Sequence, residues 1–284
     1  MKSVVVTGAS TGIGWGCVKV LAGKGFHVFG SVRKQADADR LSKEFGASFT
    51  PVLFDVTDEA AVKAGARQVA DKLKGETLAG LVKNAGIAVA GPVLHLEIAD
   101  FRRQMEVNVT AQVIVTQAFA PLLGATPGAT TKTPGRICMM SSVGGKVGSP
   151  FMAPYNASKF AMEGLSESLR RELMIYGVDV IIIAPGAINT PIWDKADEVD
   201  VSRYANTPYK KPLDAVKAYM LKIGKGGFPP ERIGETVYEA LTASKPKTRY
   251  VVTPGPLTNW MGVHLPKRMM DNIVAGRLGL KRPA

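Results

Sequence analysis

Short runs of apolar and β-branched residues recur along this chain, each followed by a longer stretch whose apolar positions return every three or four residues. The short runs predict strands over 3–7, 27–32, 48–54, 78–83, 136–141, 178–184 and 250–253. The longer stretches predict helices over 13–24, 37–45, 58–73, 100–123, 154–176, 213–224 and 230–243. The run Val178-Asp179-Val180-Ile181-Ile182-Ile183-Ala184 is apolar almost throughout, as a strand covered on both faces should be. Regular alternation of strand and helix implies right-handed crossovers. The expected architecture is therefore α/β: a doubly wound, seven-stranded parallel sheet with helices on both faces, in a single domain. Two stretches break the pattern. Residues 124–135 are rich in Thr, Gly and Pro and predict a surface loop, while 187–212 follow the sixth strand, where an open sheet places its ligand crevice.

Composition agrees with a packed core. Of 284 residues, 46% are hydrophobic and 21% charged, which argues against disorder. No run reaches the roughly 18 apolar residues of a spanning helix, and the first strand begins at once, so no signal peptide is expected. Cys17 and Cys138 lack metal-ligand spacing, and His27, His95 and His264 are scattered, so no metal site is expected. The simplest reading is a cytoplasmic protein of a reducing compartment. The net charge of +12 is uneven: 1–202 hold 21 Lys/Arg against 19 Asp/Glu, and 203–284 hold 15 against 5. A basic C-terminal part suits an anionic substrate, an acidic membrane surface, nucleic acid or plain solvation. No nucleic-acid recognition motif or basic–aromatic interleaving accompanies it, so nucleic acid is not an expected partner.

Two patterns carry chemistry. The first strand runs directly into Thr7-Gly8-Ala9-Ser10-Thr11-Gly12-Ile13-Gly14, after which a helix starts. Gly8 permits a tight turn, Gly12 a close backbone approach to a pyrophosphate, and Gly14 close helix packing, with the helix N-terminus facing the phosphates. The spacing differs from G-x-G-x-x-G, having three residues and then one between the glycines. Further on, Tyr155-Asn156-Ala157-Ser158-Lys159 puts a phenol and an ammonium on one helical face. A cation there should lower the phenol from its ordinary value near 10 and make a proton donor. The alternative is an ordinary pair on a solvated helix.

Together with Ser142, these motifs resemble the short-chain dehydrogenase/reductase family in its ordinary, non-extended branch, over nearly the whole chain from Ser3 to about Thr253. The resemblance implies a Rossmann-type fold and adds Asp55 and Val56 beside the adenine. It places Asn84, Ala85 and Gly86 along the cofactor, with Pro185, Gly186, Ile188 and Thr190 closing over the nicotinamide. Gly8, Ser10, Thr11, Gly12, Ile13 and Gly14 would line the phosphates. It assigns catalysis to Asn108, Ser142, Tyr155 and Lys159: Tyr155 as proton donor, Lys159 also on the nicotinamide ribose, Ser142 on the substrate oxygen and Asn108 at a proton-relay water. Ser141 competes with Ser142, which aligns with the second serine of the family's strand-end pair.

Lys83 departs from the family, standing where its first motif asparagine usually sits. It is either a tolerated strand-end change or a cation that alters the cofactor pocket. At the end of the second strand, Arg33 and Lys34 occupy the place of an acidic ribose ligand. A planar guanidinium suits a 2′-phosphate, so NADP(H) is the preferred cofactor, with NAD(H) also admitted. The alternative has Arg33 stacking on adenine.

The domain is expected over 1–253, with 187–227 as a substrate lid containing Ile188, Ile192, Trp193, Tyr204, Tyr209, Tyr219 and Met220. Val143, Phe151 and Met152 add apolar surface near the catalytic loop. A C-terminal extension, 254–284, is similar to tails of retinol and hydroxysteroid dehydrogenases. It is expected to pack on the domain or a subunit interface, ahead of peripheral membrane contact. The implied activity is interconversion of an alcohol and a carbonyl, on a lipophilic or aromatic small molecule, by a homodimer or homotetramer. The competing function is a catalytically silent, cofactor-binding regulatory or scaffold protein.

Overall fold

A computed structural model describes residues 1–128, 133–193 and 201–280. Seven parallel strands form one sheet: β1 (Ser3–Val6), β2 (His27–Val32), β3 (Phe49–Leu53), β4 (Gly80–Lys83), β5 (Arg136–Met140), β6 (Asp179–Pro185) and β7 (Arg249–Val252). Their order is β3-β2-β1-β4-β5-β6-β7. The chain therefore reverses its direction of growth between β1 and β4. A doubly wound sheet opens its ligand crevice at that point, beyond the C-terminal strand ends.

Alternate residues of the central strands feed two separate cores. On one face, Val4, Val6, Val82, Cys138 and Ile181 pack against α1 (Gly12–Gly23), α2 (Gln35–Phe45) and α8 (Glu231–Thr242). On the other, Val5, Leu81, Ile137, Met139 and Val180 pack against α3 (Glu59–Leu73), α5 (Ala111–Phe119) and α6 (Ala153–Glu172). The two-sided burial explains the continuous apolar strand runs. Asp58 starts α3 by accepting a bond from the Ala61 N–H at 2.9 Å.

The expected helix over 100–123 is not one regular helix. It is built from α4 (Ile98–Met105), a π-helical turn (Glu106–Thr110), α5 and a 3₁₀ turn (Ala120–Leu123). Apolar spacing cannot reveal one wider turn, because the pattern on either side remains helical. Within the expected lid, α7 (Lys210–Lys225) is the main regular element. The tail forms α9 (Pro256–His264) and α10 (Lys267–Leu278), separated near Pro266. It leans on the domain at two points: Gly262 lies against Val147, and Leu280 packs on Phe151, Tyr204 and Leu213. Parts of the expected 124–135 loop, lid and tail lie outside the described residues, at 129–132, 194–200 and 281–284. No helix among the described residues is long and apolar enough to cross a membrane.

Candidate active site

The turn after β1 uses its glycines in two ways. Gly8 has φ +66°, a left-handed conformation that side chains rarely adopt. At Gly14 the constraint is space, since a Cβ there would stand 2.0 Å from the Gly8 carbonyl oxygen. Asn84, just beyond β4, locks the turn by donating to the Thr7 and Gly8 carbonyls at 3.0 and 3.1 Å. The Ala85 N–H joins this brace by donating to the Thr7 hydroxyl at 3.1 Å. Thr11 begins α1 in an extended conformation without a side-chain capping bond. The first N–H groups of α1 are thus left for an anion. Thr190 stands over the turn, its Cβ 3.3 Å from where a Cβ on Gly12 would be.

At the crevice rim, Arg33 points a guanidinium at Asp55, 3.5 Å away, while its side chain is 72% exposed and open to a further anion. Burial alone would raise the Asp55 carboxyl. Hydrogen bonds from the Thr57 backbone and hydroxyl, with the Arg33 charge, outweigh burial and hold it below its ordinary value. Sequence reasoning missed Arg40, whose guanidinium donates to the Ser10 carbonyl at 2.6 Å and pairs with Asp37 and Glu44. Lys34 lies beside this rim as the residue preceding α2. Val56 and Ile188 are buried among core residues.

The Tyr155 helix, α6, begins at the mouth of the crevice. Tyr155, Lys159 and Glu163 follow at i, i+4 and i+8 on one face. Ser142 ends the strand-to-turn segment after β5, accepting from the Gly144 N–H at 3.0 Å and facing Pro185 O at 3.4 Å. The same hydroxyl lies near enough to the Tyr155 phenol to favour its ionised form. Ser141 is committed elsewhere, donating to Glu163 at 2.7 Å, which separates the two serine candidates. The expected lowering of the phenol by Lys159 is corrected. Burial raises Tyr155 above its ordinary value, and the Ser142 hydroxyl only partly opposes this. The Lys159 ammonium, 5.6 Å from the Tyr155 ring centre, donates instead to the Met140 carbonyl at 2.8 Å. Burial also lowers Lys159 to about 8, with the Glu163 charge pulling the other way.

Asn108 lies in the π-helical turn, buried. It exchanges two bonds with the Ile87 backbone, at 2.9 and 3.0 Å, and donates to Ser158 at 3.0 Å. Its side chain is therefore a clamp joining the segment after Gly86 to α6. Lys83 is fully buried, and its ammonium donates to Thr116 on α5 rather than to the glycine turn. Desolvation lowers it to about 7. The reading of Lys83 as a phosphate-side cation therefore gives way to a core position.

Over the catalytic loop, Phe151 holds φ +64°, uncommon for a bulky residue, and its carbonyl accepts from Gly91 N–H at 2.7 Å. It packs with Tyr204 and Leu213, and the buried Tyr204 hydroxyl has no hydrogen-bond partner among the described residues. Of the expected lid residues, Trp193 is tied to the Ile188 carbonyl at 2.7 Å, while Ile192 and Tyr219 are exposed. Among the described residues no cluster of three His, Cys, Asp or Glu could hold a metal ion.

Residues 2–200 match the family model for short chain dehydrogenase. The chain is similar to an NADPH-dependent 3-dehydrocapnine reductase of Ornithobacterium rhinotracheale, 42% identical over 275 residues, covering 96% of each. It is also 30% identical to the human dehydrogenase/reductase SDR family member 9, over 95% of this chain and 86% of that one. A short-chain dehydrogenase/reductase structure from Burkholderia phymatum in complex with NAD superposes with TM-score 0.77 at 22% identity, over 96% and 95% of the chains. At that identity, the structural likeness speaks for the fold.

Proposed function

The chain belongs to the short-chain dehydrogenase/reductase family, and on that footing we propose that it is an NADP(H)-dependent oxidoreductase interconverting a lipophilic ketone or aldehyde with its alcohol. The carrying observation is that the Ser142 hydroxyl and the Tyr155 ring converge on Gly144, each 3.4 Å from where a Cβ there would stand, with Lys159 one turn behind on the same face. The braced glycine turn, the uncapped start of α1 and the exposed guanidinium of Arg33 fit a dinucleotide bearing a 2′-phosphate. When bound, NADPH supplies the hydride.

The protein's own part is acid catalysis and orientation. Tyr155, kept protonated by burial, gives its proton to the carbonyl oxygen as negative charge develops there. Ser142 donates to the same oxygen and fixes the carbonyl beside the phenol. Lys159 supplies positive charge behind Tyr155 and a donor to the cofactor ribose. Asn108 holds the 87 segment against α6, and any relay water at this turn would rest on its main chain. In this proposal the described parts of 187–227 and of the tail wall the substrate cleft, as parts of one domain unit over 1–253 and its extension. The exposed side chains of Ile192 and Tyr219 in this segment favour a lipophilic substrate. The 42% identical relative, named as an NADPH-dependent reductase of a 3-dehydro compound, supports the same direction of reaction.

Assembly as a homodimer or homotetramer in the cytoplasm belongs to this proposal. Val113 on α5 and Phe160 on α6 are exposed apolar residues on the helices expected at such an interface. Light scattering measures the assembly directly. For the activity, NADPH absorbance is followed against a panel of ketones and aldehydes, including long-chain ones. Tyr155→Phe should retain NADPH binding and lose most turnover. Near-normal kcat in that variant would refute the catalytic role, and intact NADPH binding without turnover across the panel would favour the silent scaffold.

A further inference from the structure

We propose that Glu163 and Arg249 form a positioning pair, which holds the Lys159 charge on the Tyr155 face of α6 and anchors the backbone of Ser142. The proposal deepens the catalytic reading above. Glu163 is 3% exposed and sits one turn beyond Lys159. Its carboxylate accepts from Ser141 at 2.7 Å and from Arg249 three times, at 3.0, 3.1 and 3.2 Å. Such a forked contact fixes both partners in angle as well as distance. Arg249 also donates to the Ser142 carbonyl at 3.4 Å. One carboxylate thus joins β7, the end of β5 and the catalytic helix. The packing leaves no slack, since a Cβ on Gly145 would meet the Ser141 hydroxyl at 2.7 Å and Glu163 Cγ at 2.9 Å.

A buried charge is costly unless matched, so this carboxylate needs a reason to stand behind the active site. Burial disfavours the ammonium form of Lys159, and Glu163 opposes that effect. The groups facing Lys159 are Tyr155 and Glu163 on its own helix, the Met140 carbonyl at the end of β5, and the Met162 sulfur. Arg249 from β7 and Lys146 from the loop after β5, 3.8 Å from Glu163, in turn neutralise the carboxylate. Removing Glu163 should therefore make Lys159 lose its proton at lower pH. Removing the Arg249 charge leaves the carboxylate less compensated and should have the opposite effect. A merely structural pair would not shift one proton affinity in two directions.

The test follows Lys159 itself, by NMR titration of lysine side chains in the cofactor-free protein, assigned against Lys159→Met. Glu163→Gln should lower the Lys159 midpoint by about one pH unit, and Arg249→Met should raise it. Arg249→Lys should stay near the wild type. If an active ketone has been found, the alkaline limb of kcat should move in the same sense for each variant. An unmoved midpoint in folded Glu163→Gln, or shifts of the same sign in both variants, would overturn the proposal. Glu163→Asp, which keeps the charge, serves if Glu163→Gln does not fold. A midpoint well below the wild-type one in that charge-keeping variant would then count against the charge-holding role. The NMR arm needs no turnover, so failure of the catalytic reading is seen separately, as an inert panel with midpoints that still shift.

Discussion

The side-chain amide of Asn84 donates to the Gly8 carbonyl at 3.1 Å, tying the end of β4 to the turn that follows β1. The same nitrogen reaches the Thr7 carbonyl, so Asn84→Ala leaves two partly buried acceptors short of a donor. The expected cost is about 1–3 kcal/mol of stability, with NADPH binding weakened because the turn loses its fixed shape. Thermal melts and NADPH fluorescence titration read the two effects. An unaltered dissociation constant would show that the brace is unimportant to the cofactor turn.

Arg33 is the residue proposed to select the cofactor. Its side chain is largely exposed and loosely paired with Asp55. Arg33→Asp should weaken NADPH by on the order of tenfold to a hundredfold, the range of one charge-assisted hydrogen bond, while NADH changes little. Comparable losses for both cofactors would return Arg33 to a stacking role. Arg40→Ala should give a smaller effect, since that guanidinium is already shared among Ser10, Asp37 and Glu44.

Lys83 imposes a pH-dependent burden. Its amine keeps a proton up to about 10.5 in the unfolded chain and only up to about 7 in the fold. Between those values the unfolded chain binds the additional proton, so stability falls as pH drops from 10.5 to 7 and stays low beneath. Lys83→Met should therefore be more stable than wild type at pH 6, on the order of a few kcal/mol, and the gap should close toward pH 10. Paired melting curves across this range decide it. A gap independent of pH would place the cost in packing instead of charge.

Both thiols should be inert in the native protein. Cys17 and Cys138 are buried without exposure, and burial raises both, Cys138 to about 12. Thiolate is the reactive form, so a disulfide reagent should titrate neither thiol until denaturant is added. Rapid reaction of either in buffer alone would contradict that burial.

The parts of this molecule legible in its sequence are those whose partners lie close along the chain. Tyr155 and Lys159 are four residues apart, and Gly8 to Gly14 form one turn, so spacing alone brings them together. The strands were legible because burial on both faces leaves a continuous apolar run. Glu163 and Arg249 were not, being 86 residues apart and joined only when β7 pairs with β6. Arg40 was hidden for a similar reason: its partner is the Ser10 carbonyl, 30 residues away, and backbone acceptors carry no sequence signal. The raised Tyr155 phenol also escaped, since spacing shows a nearby cation but not that its ammonium turns to Met140.

The π-helical turn at Glu106–Thr110 sets a rule about chain length. An α-helix advances about 100° per residue, given 3.6 residues per turn, and a π-turn holds one residue more than regular winding needs. Asn108 reaches Ile87 and Ser158 from inside that surplus. Removing one residue between Met105 and Ala111 would let the helix rewind as a regular α-helix and leave α5 close to its present orientation relative to α4. Gln112, Val115 and Phe119 would keep their buried positions, while Asn108 would lose the surplus that carries it to Ile87 and Ser158. In this stretch one residue of chain length serves the Asn108 clamp and not the packing of α5.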